Sequence, residues 1–371
     1  MNWKQLDGLD NITSPGLLVD PDKVQSNIRA MIQTVGGDAN RLRPHVKTHK
    51  MAQPIRMQVD AGITKFKAAT LAEAAMAAGS GGTDVLLAYP MVGPNVARLA
   101  GLARIQSTTS FATIVDDPAA VQLLSKMLDV PLRVFIDVDC GMHRTGIQWG
   151  PKMDQLRVAI ESAANLEFAG LHVYDGHLHQ PEIDQRRDAA LKIIDEVRQY
   201  DQANPSPTII GGGSPTFPFW AQETDWECSP GTPVFWDAGY GKHYPDLTYQ
   251  KAVALITRVI SKPTDGTRKR LCLDLGYKSV ASEMPLESRV IIPAIPDAKL
   301  IAHSEEHLIV DTDSVDHIPI GEMLLAFPCH VCPTVALHSF ATVVRDGRPT
   351  MAGDGWRTEE TWKVIARDRY P

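Results

Sequence analysis

Short apolar runs alternate with amphipathic, helix-like stretches over the first two thirds of the chain, and this alternation is what most constrains the fold. Units of about 20 to 30 residues in which a strand precedes a helix are typical of parallel sheets covered by helices. Eight strand-like runs occur, at Gly16–Asp20, Leu42–Thr48, Thr64–Ala69, Asp84–Tyr89, Phe111–Asp116, Leu132–Asp137, Phe168–Tyr174 and Thr208–Gly212. Eight such units predict a (β/α)8 barrel rather than an open, doubly wound sheet.

The pattern changes after Tyr249. Here strand-like runs follow one another with little helical periodicity between them. They lie at Val253–Ile260, Arg270–Leu275, Arg289–Ile292, His307–Val310 and Thr334–Val344. We therefore place the barrel at residues 12–245 and a smaller, mostly β domain at residues 246–371, which residues 1–11 are expected to join.

Composition excludes several classes of partner. The chain has 371 residues, of which 44% are hydrophobic, so it can bury a large core. Its formal net charge of -7 provides no overall field for nucleic acid or an anionic membrane, which leaves a small molecule as the expected partner. The polar N-terminal stretch and five cysteines, an odd number, predict a cytoplasmic protein without a disulfide framework.

The segment Arg43–Lys50 concentrates two lysines, two histidines and an arginine between apolar flanks. A buried strand end avoids charge unless the charge is paired or functional. A lysine that forms a Schiff base needs a lowered pKa, which burial and neighbouring cations provide. Lys47 and Lys50 are both candidates for this role, and a solvated basic loop is the structural alternative.

Polar residues recur at the predicted strand ends, which in a barrel all lie on one face. They include Lys47, Tyr89, Asp137, Asp139, His143, Arg144, Tyr174, Asp175, His177, His179, Gly211, Gly212, Gly213 and Ser214. The glycine run at the end of the last predicted strand is typical of a loop that binds phosphate through backbone N–H groups, although a simple turn would use the same residues. A Schiff-base lysine and a phosphate loop on one face suggest pyridoxal phosphate.

A second chemical signal is the pair His330 and Cys332. On an extended segment, residues two apart point the same way and can share one metal ion. A thiolate with an imidazole suits zinc, and two protein ligands leave positions open for water or substrate. The structural alternative is a buried cysteine beside a hydrogen-bonded histidine.

Taken together, these motifs resemble the D-threonine aldolase and D-serine dehydratase family, fold-type III pyridoxal phosphate enzymes related to alanine racemase. The matching segments are Arg43–Lys50, Gly141–Gly146, Tyr174–His177, the Gly211 run and His330–Thr334. The resemblance implies an alanine racemase-like barrel in which Lys47, rather than Lys50, bonds the cofactor. It also implies that Arg144 and Tyr174 lie against the cofactor ring, that Gly211, Gly212, Gly213 and Ser214 hold its phosphate, and that Tyr240 lies nearby.

The same resemblance implies a lyase that acts on a D-3-hydroxy amino acid, in a homodimer. Aldolases of the family tend to carry aspartate where Cys332 stands, so this chain favours a dehydratase of D-serine or 3-hydroxyaspartate, with zinc ahead of manganese or magnesium. An aldolase is the alternative, with His177 or His179 as its base. A racemase and a non-catalytic pyridoxal phosphate carrier are further alternatives, and His45 either supports the cofactor or is merely packed.

Other conspicuous side chains have structural explanations. Trp220, Trp226 and Trp236 are expected to be packing residues rather than a substrate cage. Arg186, Arg187 and Arg198 lie on the helical pattern Pro181–Tyr200, where we expect a solvated face.

Overall fold

The computed structural model describes residues 11–264, 266, 268–345, 348–349 and 360–369. The chain divides into two compact units. The barrel unit holds Ile28–Lys47 and Ala52–Pro233, and the β unit holds Thr48–Met51 with the described residues up to Asn27 and from Val234 to Arg367. The first ten residues, expected to join the β domain, lie outside the described residues, and the domain boundary at residue 245 stays a prediction.

The first strand-like run belongs to the β unit, so its assignment to the barrel is wrong. β1 (Gly16–Val19) pairs antiparallel with Val253–Ile256 and parallel with Ala341–Val343. Its three apolar residues, 17 to 19, are almost completely buried. A short run that is buried on both faces has the same pattern in either kind of sheet, which is why periodicity alone misassigned it.

The barrel unit, all of whose residues up to 233 are described, contains one sheet of seven parallel strands that pair in chain order. They are β2 (Lys65–Ala68), β3 (Asp84–Leu87), β4 (Ser110–Val115), β5 (Leu132–Val138), β6 (Leu166–Val173), β7 (Ile209–Gly211) and β8 (Glu227–Cys228). Parallel bridges join Leu42 to Cys228 and His45 to Lys67, so segment 42–45 connects the last strand to the first. The predicted (β/α)8 barrel is confirmed. We call the eight strand positions around the barrel its staves; this segment is the first stave and β8 is the eighth.

The first stave is shorter than the predicted strand Leu42–Thr48. Pro44 has no N–H to donate to a sheet, and Val46–Thr48 turns into a 3₁₀ helix. Arg43 is fully buried and forms ion pairs with Asp84 and Glu227, both at 2.7 Å. Although burial alone would raise the pKa of Asp84, the hydrogen bonds and charge of Arg43 lower it to about 2. The Arg43 charge is therefore paired and closes the barrel.

Helices follow most of the strands. They are α1 (Pro21–Thr34), α2 (Ala52–Asp60), α3 (Leu71–Gly79), α4 (Pro94–Ile105), α5 (Pro118–Met127), α6 (Pro151–Glu161), α7 (Ile183–Ala203) and α8 (Phe217–Glu223). Four of them begin with proline, whose missing N–H costs nothing in a first turn, and Thr70 and Asp117 cap α3 and α5 with side-chain oxygens. Among the described helices, none combines the length and apolar character needed to cross a membrane.

The β unit is built on a mostly antiparallel sheet. Its elements are α9 (Ala238–His243), β9 (Val253–Ser261), β10 (Arg270–Leu273), β11 (Val290–Ile291), β12 (Lys299–His303), β13 (Leu308–Asp311), β14 (Met323–Pro328), α10 (Val331–Leu337), β15 (Phe340–Arg345), β16 (Arg348–Pro349) and β17 (Thr361–Lys363). β9 pairs with β1, β10 and β14. Leu18, Ile256 and Val344 pack together in its core. The predicted mostly β second domain is confirmed.

Arg186 of α7 departs from the predicted solvated face, because it is fully buried. Its guanidinium donates to the carbonyl oxygens of Gln180 at 2.9 Å, Pro181 at 3.1 Å and Pro215 at 3.1 Å. These carbonyls belong to the loops that follow β6 and β7. Arg186 therefore ties together two loops on the face where the barrel carries its polar residues.

Replacing Arg186 with methionine is expected to destabilise the protein by about 3 kcal/mol, because three buried carbonyls lose their charged donor. Arg187→Met is the matched control, since this neighbouring side chain is 44% exposed and pairs only at the surface with Glu223; its loss should cost at most about 1 kcal/mol. Urea unfolding midpoints of the two variants test the comparison. Equal losses would contradict the structural role of Arg186.

Candidate active site

Lys47 lies in the 3₁₀ turn at the end of the first stave. Its backbone N–H donates to Nδ1 of His45 at 3.2 Å, and its Nζ lies 5.9 Å from the centre of the Tyr174 ring. Lys50 instead belongs to the β unit, where its Nζ lies 3.4 Å from the carbonyl oxygen of Ala366. The structure therefore separates the two candidate lysines, and it gives His45 the local task of holding the turn that carries Lys47.

Tyr174, directly after β6, is the centre of the polar face. A Cβ on Gly176 would lie 2.2 Å from the Tyr174 ring, so only glycine at 176 allows the ring its position. The ring receives three cationic groups: Lys47 Nζ at 5.9 Å, Lys67 Nζ at 5.3 Å and Arg144 Cζ at 5.4 Å. Two of these cations, Lys47 and Arg144, were predicted at the site, and Lys67 was not.

Asp175 fixes the glycine run next to Tyr174. Its two carboxylate oxygens accept hydrogen bonds from the Gly213 N–H at 2.7 Å and from Trp220 Nε1 at 2.8 Å. Burial raises the pKa of Asp175, although the bonds from Thr216, Trp220 and Gly213 oppose this effect. Trp220 is fully buried, which agrees with its expected packing role.

The glycine run follows β7, the seventh stave, rather than the eighth strand. A Cβ on Gly211 would lie 2.2 Å from the Trp220 ring, so this backbone must be bare. The Gly213 N–H is already used by Asp175. Ser214 Oγ accepts the N–H groups of Gly231 and Thr232, each at 3.1 Å, and keeps its own hydrogen to donate. The phosphate-binding role stays a prediction, for which the Ser214 hydroxyl is an available donor.

His177 connects two of the sequence motifs. Its Nε2 lies 3.0 Å from the place a Cβ on Gly141 would occupy, so the imidazole packs against the loop that follows β5. Its Nδ1 is buried and finds no hydrogen-bond partner among the described residues. An imidazole with one unengaged nitrogen can accept a proton, which suits the predicted role as a base.

Sequence reasoning gave no site role to His172, a residue of β6 two positions before Tyr174. The His172 Nδ1 lies 2.7 Å from Asp137 Oδ1, and Thr145 donates to Asp137 Oδ2 at 2.7 Å. Burial lowers the pKa of His172, and its Nε2 has no partner in the described part of the chain. The available signal was a polar residue between two buried apolar neighbours of a strand: His172 lies between Leu171 and Val173 in β6, and Lys67 lies between Phe66 and Ala68 in β2.

The predicted cofactor residue Tyr240 lies in α9 of the β unit. Its backbone N–H donates to Asp237 Oδ1 at 2.7 Å, and its ring packs 5.5 Å from that of Trp236 and 5.2 Å from that of Tyr244. Asp237 thus caps the helix, and the aromatic neighbours fix the tyrosine ring. Its contact with a cofactor stays a prediction.

His330 and Cys332 lie at the start of a helix, so the predicted extended segment is wrong. His330 precedes α10 and Cys332 is in its first turn, where Pro333 is tolerated because first-turn N–H groups need no helical partner. The two side chains still interact, because Cys332 is one of the groups that affect the pKa of His330. Against the effect of burial, Cys332 and Glu283 raise the pKa of His330 to about 9.

The chemistry of this pair fits a divalent metal. His330 Nδ1 lies 2.5 Å from Glu283 Oε1, which leaves Nε2 for an ion, and Cys332 Sγ lies 3.3 Å from Thr48 Oγ1. The described residues contain no group of three or more His, Cys, Asp or Glu arranged to hold a metal. The described residues therefore offer two metal donors, His330 and Cys332, and a site of this kind leaves other coordination positions open to substrate. Thr48 follows Lys47 directly in the chain.

Comparison with known families identifies the chain. Residues 19–237 match the family described as "Alanine racemase, N-terminal domain", which covers more than half of the sequence. The chain belongs to this family. Residues 252–344 match a "Putative serine dehydratase domain", so both parts agree with the resemblance that the motifs indicated.

The similar proteins of known activity indicate the class of enzyme within this family. The chain is 27% identical to a D-threonine aldolase of Arthrobacter sp, over 97% of this chain and 94% of the relative. It is 26% identical to a D-threo-3-hydroxyaspartate dehydratase of Delftia sp., over 92% and 97%. The solved D-threonine aldolase from Filomicrobium marinum superposes with a TM-score of 0.84 at 27% identity, covering 97% of this chain and 96% of that one. These relatives are lyases, and the protein is an enzyme of this class.

Proposed function

We propose that the protein is a pyridoxal phosphate- and divalent metal-dependent lyase that removes water from a D-3-hydroxy amino acid. D-Serine and D-3-hydroxyaspartate are the preferred candidates, with a ketoacid and ammonia as products. The observation that carries this proposal is the His330–Cys332 pair at the start of α10, with Glu283 on the far nitrogen of the histidine. Family aldolases tend to have aspartate in place of this cysteine, which favours the dehydratase.

Residues of the barrel unit would hold the cofactor. When bound, pyridoxal phosphate withdraws electrons from the bonds at the α-carbon of an amino acid. Lys47 would bond the cofactor and exchange a proton at that carbon, because its amine sits beside the Tyr174 ring. Tyr174 and Arg144 would support the ring, and His45 would keep the Lys47 turn in place. Ser214 and the Gly211–Gly213 run would hold the phosphate; because Asp175 already accepts the Gly213 N–H, the run would contribute the close approach of its bare backbone rather than that donor.

Residues of the β unit would hold the metal. When bound, a divalent ion polarises a hydroxyl oxygen and makes it a better leaving group. His330 Nε2 and Cys332 Sγ supply one imidazole and one thiolate, a combination that suits zinc before manganese or magnesium. Glu283 would hold the His330 tautomer that presents Nε2.

A retro-aldol lyase is the second candidate, and His177 is the observation that favours it. Its unengaged Nδ1 can accept the proton of the substrate 3-hydroxyl, which is the step that releases glycine and an aldehyde. The Arthrobacter relative is named as such an aldolase. Racemisation and non-catalytic pyridoxal phosphate binding are the remaining alternatives from the sequence.

Product analysis separates these candidates. The protein, saturated with pyridoxal phosphate and zinc or manganese, is incubated with D-serine, D-threonine and D-3-hydroxyaspartate. We expect ketoacid and ammonia, with the L-enantiomers unchanged as the control. Glycine with an aldehyde would replace the dehydratase by the aldolase, and loss of optical rotation without cleavage would indicate a racemase. Unchanged substrate in every case would contradict the lyase proposal.

We also propose that the enzyme works as a cytoplasmic homodimer. All five cysteines lie in the described ranges and are free thiols, which is typical of a reducing compartment. The homodimer is inferred from the family resemblance. Light scattering coupled to gel filtration tests it, and a monomer mass at micromolar concentration would contradict it.

A further inference from the structure

Lys67 is a buried lysine that the family motifs do not include. It lies on β2 between two buried neighbours and is only 3% exposed. The backbone fixes its position, since its N–H donates to the Pro44 carbonyl at 2.9 Å and its strand is bridged to His45. A lysine is rarely buried to this degree unless it is paired or functional.

The Lys67 ammonium points into the site already described. Its Nζ lies 5.3 Å from the centre of the Tyr174 ring, nearer than Lys47 and on the ring that Arg144 also contacts. Three cationic groups from three different parts of the barrel therefore converge on one aromatic ring. The positive charges of these three groups repel one another unless anions lie close enough to balance them.

The nearby carboxylates are already engaged. Asp137 and Asp175 are the acidic groups that interact with Lys67. Both oxygens of Asp137 bond to His172 and Thr145, and both oxygens of Asp175 bond to Gly213 and Trp220. The three cationic groups around the Tyr174 ring could therefore bind one further oxyanion, which the described protein groups do not supply.

We propose that Lys67 is a further ligand-binding residue of the site, whose ammonium holds an oxyanion of the bound ligand. The inference rests on the proposed function, which offers two sources of that oxyanion: the ring hydroxyl of the cofactor in its ionised form, and a carboxylate of the amino acid substrate. Either source would neutralise positive charge beside the Tyr174 ring.

Charge and burial at Lys67 support this role. Burial is the largest of the effects that lower the pKa of Lys67 to about 7, and the charge of Lys47 is the next. Asp137 and Asp175 act in the opposite direction, and the charge of Arg144 lowers the pKa further. The unfolded chain holds this proton up to its ordinary pKa of 10.5. Between these values the unfolded state binds more protons, so this group's contribution to stability rises with pH and is least at or below neutrality. A structural ion pair would have the opposite dependence.

The test compares Lys67→Met and Lys67→Arg with wild type. Lys65→Met is the matched control, because Lys65 lies on the same strand but pairs with Glu227, at 2.5 Å. The readouts are the dissociation constant of the apo-protein for pyridoxal phosphate and the KM of the saturated enzyme for D-serine and D-3-hydroxyaspartate. Thermal unfolding of each apo-protein near neutral pH shows that the variants fold.

We expect Lys67→Met to raise one of the two binding constants by about tenfold or more, Lys67→Arg to recover most of the loss, and Lys65→Met to change neither. A higher cofactor dissociation constant assigns the oxyanion to the cofactor hydroxyl, and a higher KM alone assigns it to the substrate carboxylate. The apo Lys67→Met protein should be no less stable than wild type near neutral pH, because it buries no charge.

If both binding constants of a folded Lys67→Met protein stay within about twofold of wild type, Lys67 binds no ligand group and the inference fails while the proposed function stands. An equal effect of Lys65→Met would also overturn it. If wild type itself binds no pyridoxal phosphate, the proposed function fails, and this inference fails with it.

Discussion

Replacing Lys47 with methionine is expected to lower kcat/KM by at least about 10⁴-fold and to remove the visible absorbance of bound pyridoxal phosphate. The side chain keeps its length but loses the amine that would bond the cofactor and exchange the substrate proton. The 3₁₀ turn that His45 holds carries this amine to 5.9 Å from the centre of the Tyr174 ring, where we propose that it performs both tasks. Steady-state kinetics and an absorbance spectrum of the purified variant measure the two effects.

Lys50→Met is the control for this experiment. Lys50 lies three residues further along the chain, but its ammonium contacts the carbonyl oxygen of Ala366 in the β unit. We expect Lys50→Met to keep the cofactor absorbance and to retain activity within about one order of magnitude. A Lys47→Met protein that keeps the absorbance band, or a Lys50→Met protein that loses it, would contradict the assignment of the lysine.

Replacing Cys332 or His330 with alanine is expected to remove the bound divalent metal and to lower activity by about 10³-fold or more. Each change deletes one of two described donors, and a site with a single protein donor holds zinc weakly. Glu283→Gln should have a smaller effect, about 10- to 100-fold in metal affinity, because it loosens the orientation of His330 without removing a donor. Metal analysis after dialysis and activity in a zinc titration measure these effects.

Cys329→Ala is the matched control for Cys332→Ala. Cys329 lies three residues earlier, and burial raises the pKa of its thiol to about 11, which disfavours the thiolate that binds metal. We expect Cys329→Ala to retain the metal. Metal retained by both Cys332→Ala and His330→Ala, or lost from Cys329→Ala alone, would contradict the proposed metal site.

The barrel could be predicted from sequence because its signal repeats. Seven of the eight predicted runs mark staves, since strands buried on both faces read as apolar runs wherever they occur along the barrel. The error at Gly16–Asp20 and the missing eighth stave have one cause. β8 contains only Glu227 and Cys228, too short for any periodic pattern, so an apolar run of the other sheet was counted in its place.

The site could be predicted only where a local motif accompanies the chemistry. Lys47, Tyr174 and the glycine run are marked by their position at strand ends, whereas Lys67 and His172 lie inside strands. They are recognised only when the barrel brings Lys67 to the Tyr174 ring and His172 to Asp137. Arg186 was predicted to be exposed because its partners are backbone carbonyls. Every residue carries such a carbonyl, so a sequence does not show which of them accept a hydrogen bond from an arginine.

Borohydride reduction of the pyridoxal phosphate-loaded wild-type protein, followed by peptide mass spectrometry, tests the central claim most directly. Reduction makes the bond between cofactor and lysine permanent, so the modified residue can be read from its peptide. We predict a pyridoxyl group on Lys47. A pyridoxyl group on Lys50 or Lys67 instead, or no modified lysine in protein saturated with the cofactor, would contradict the account of this site.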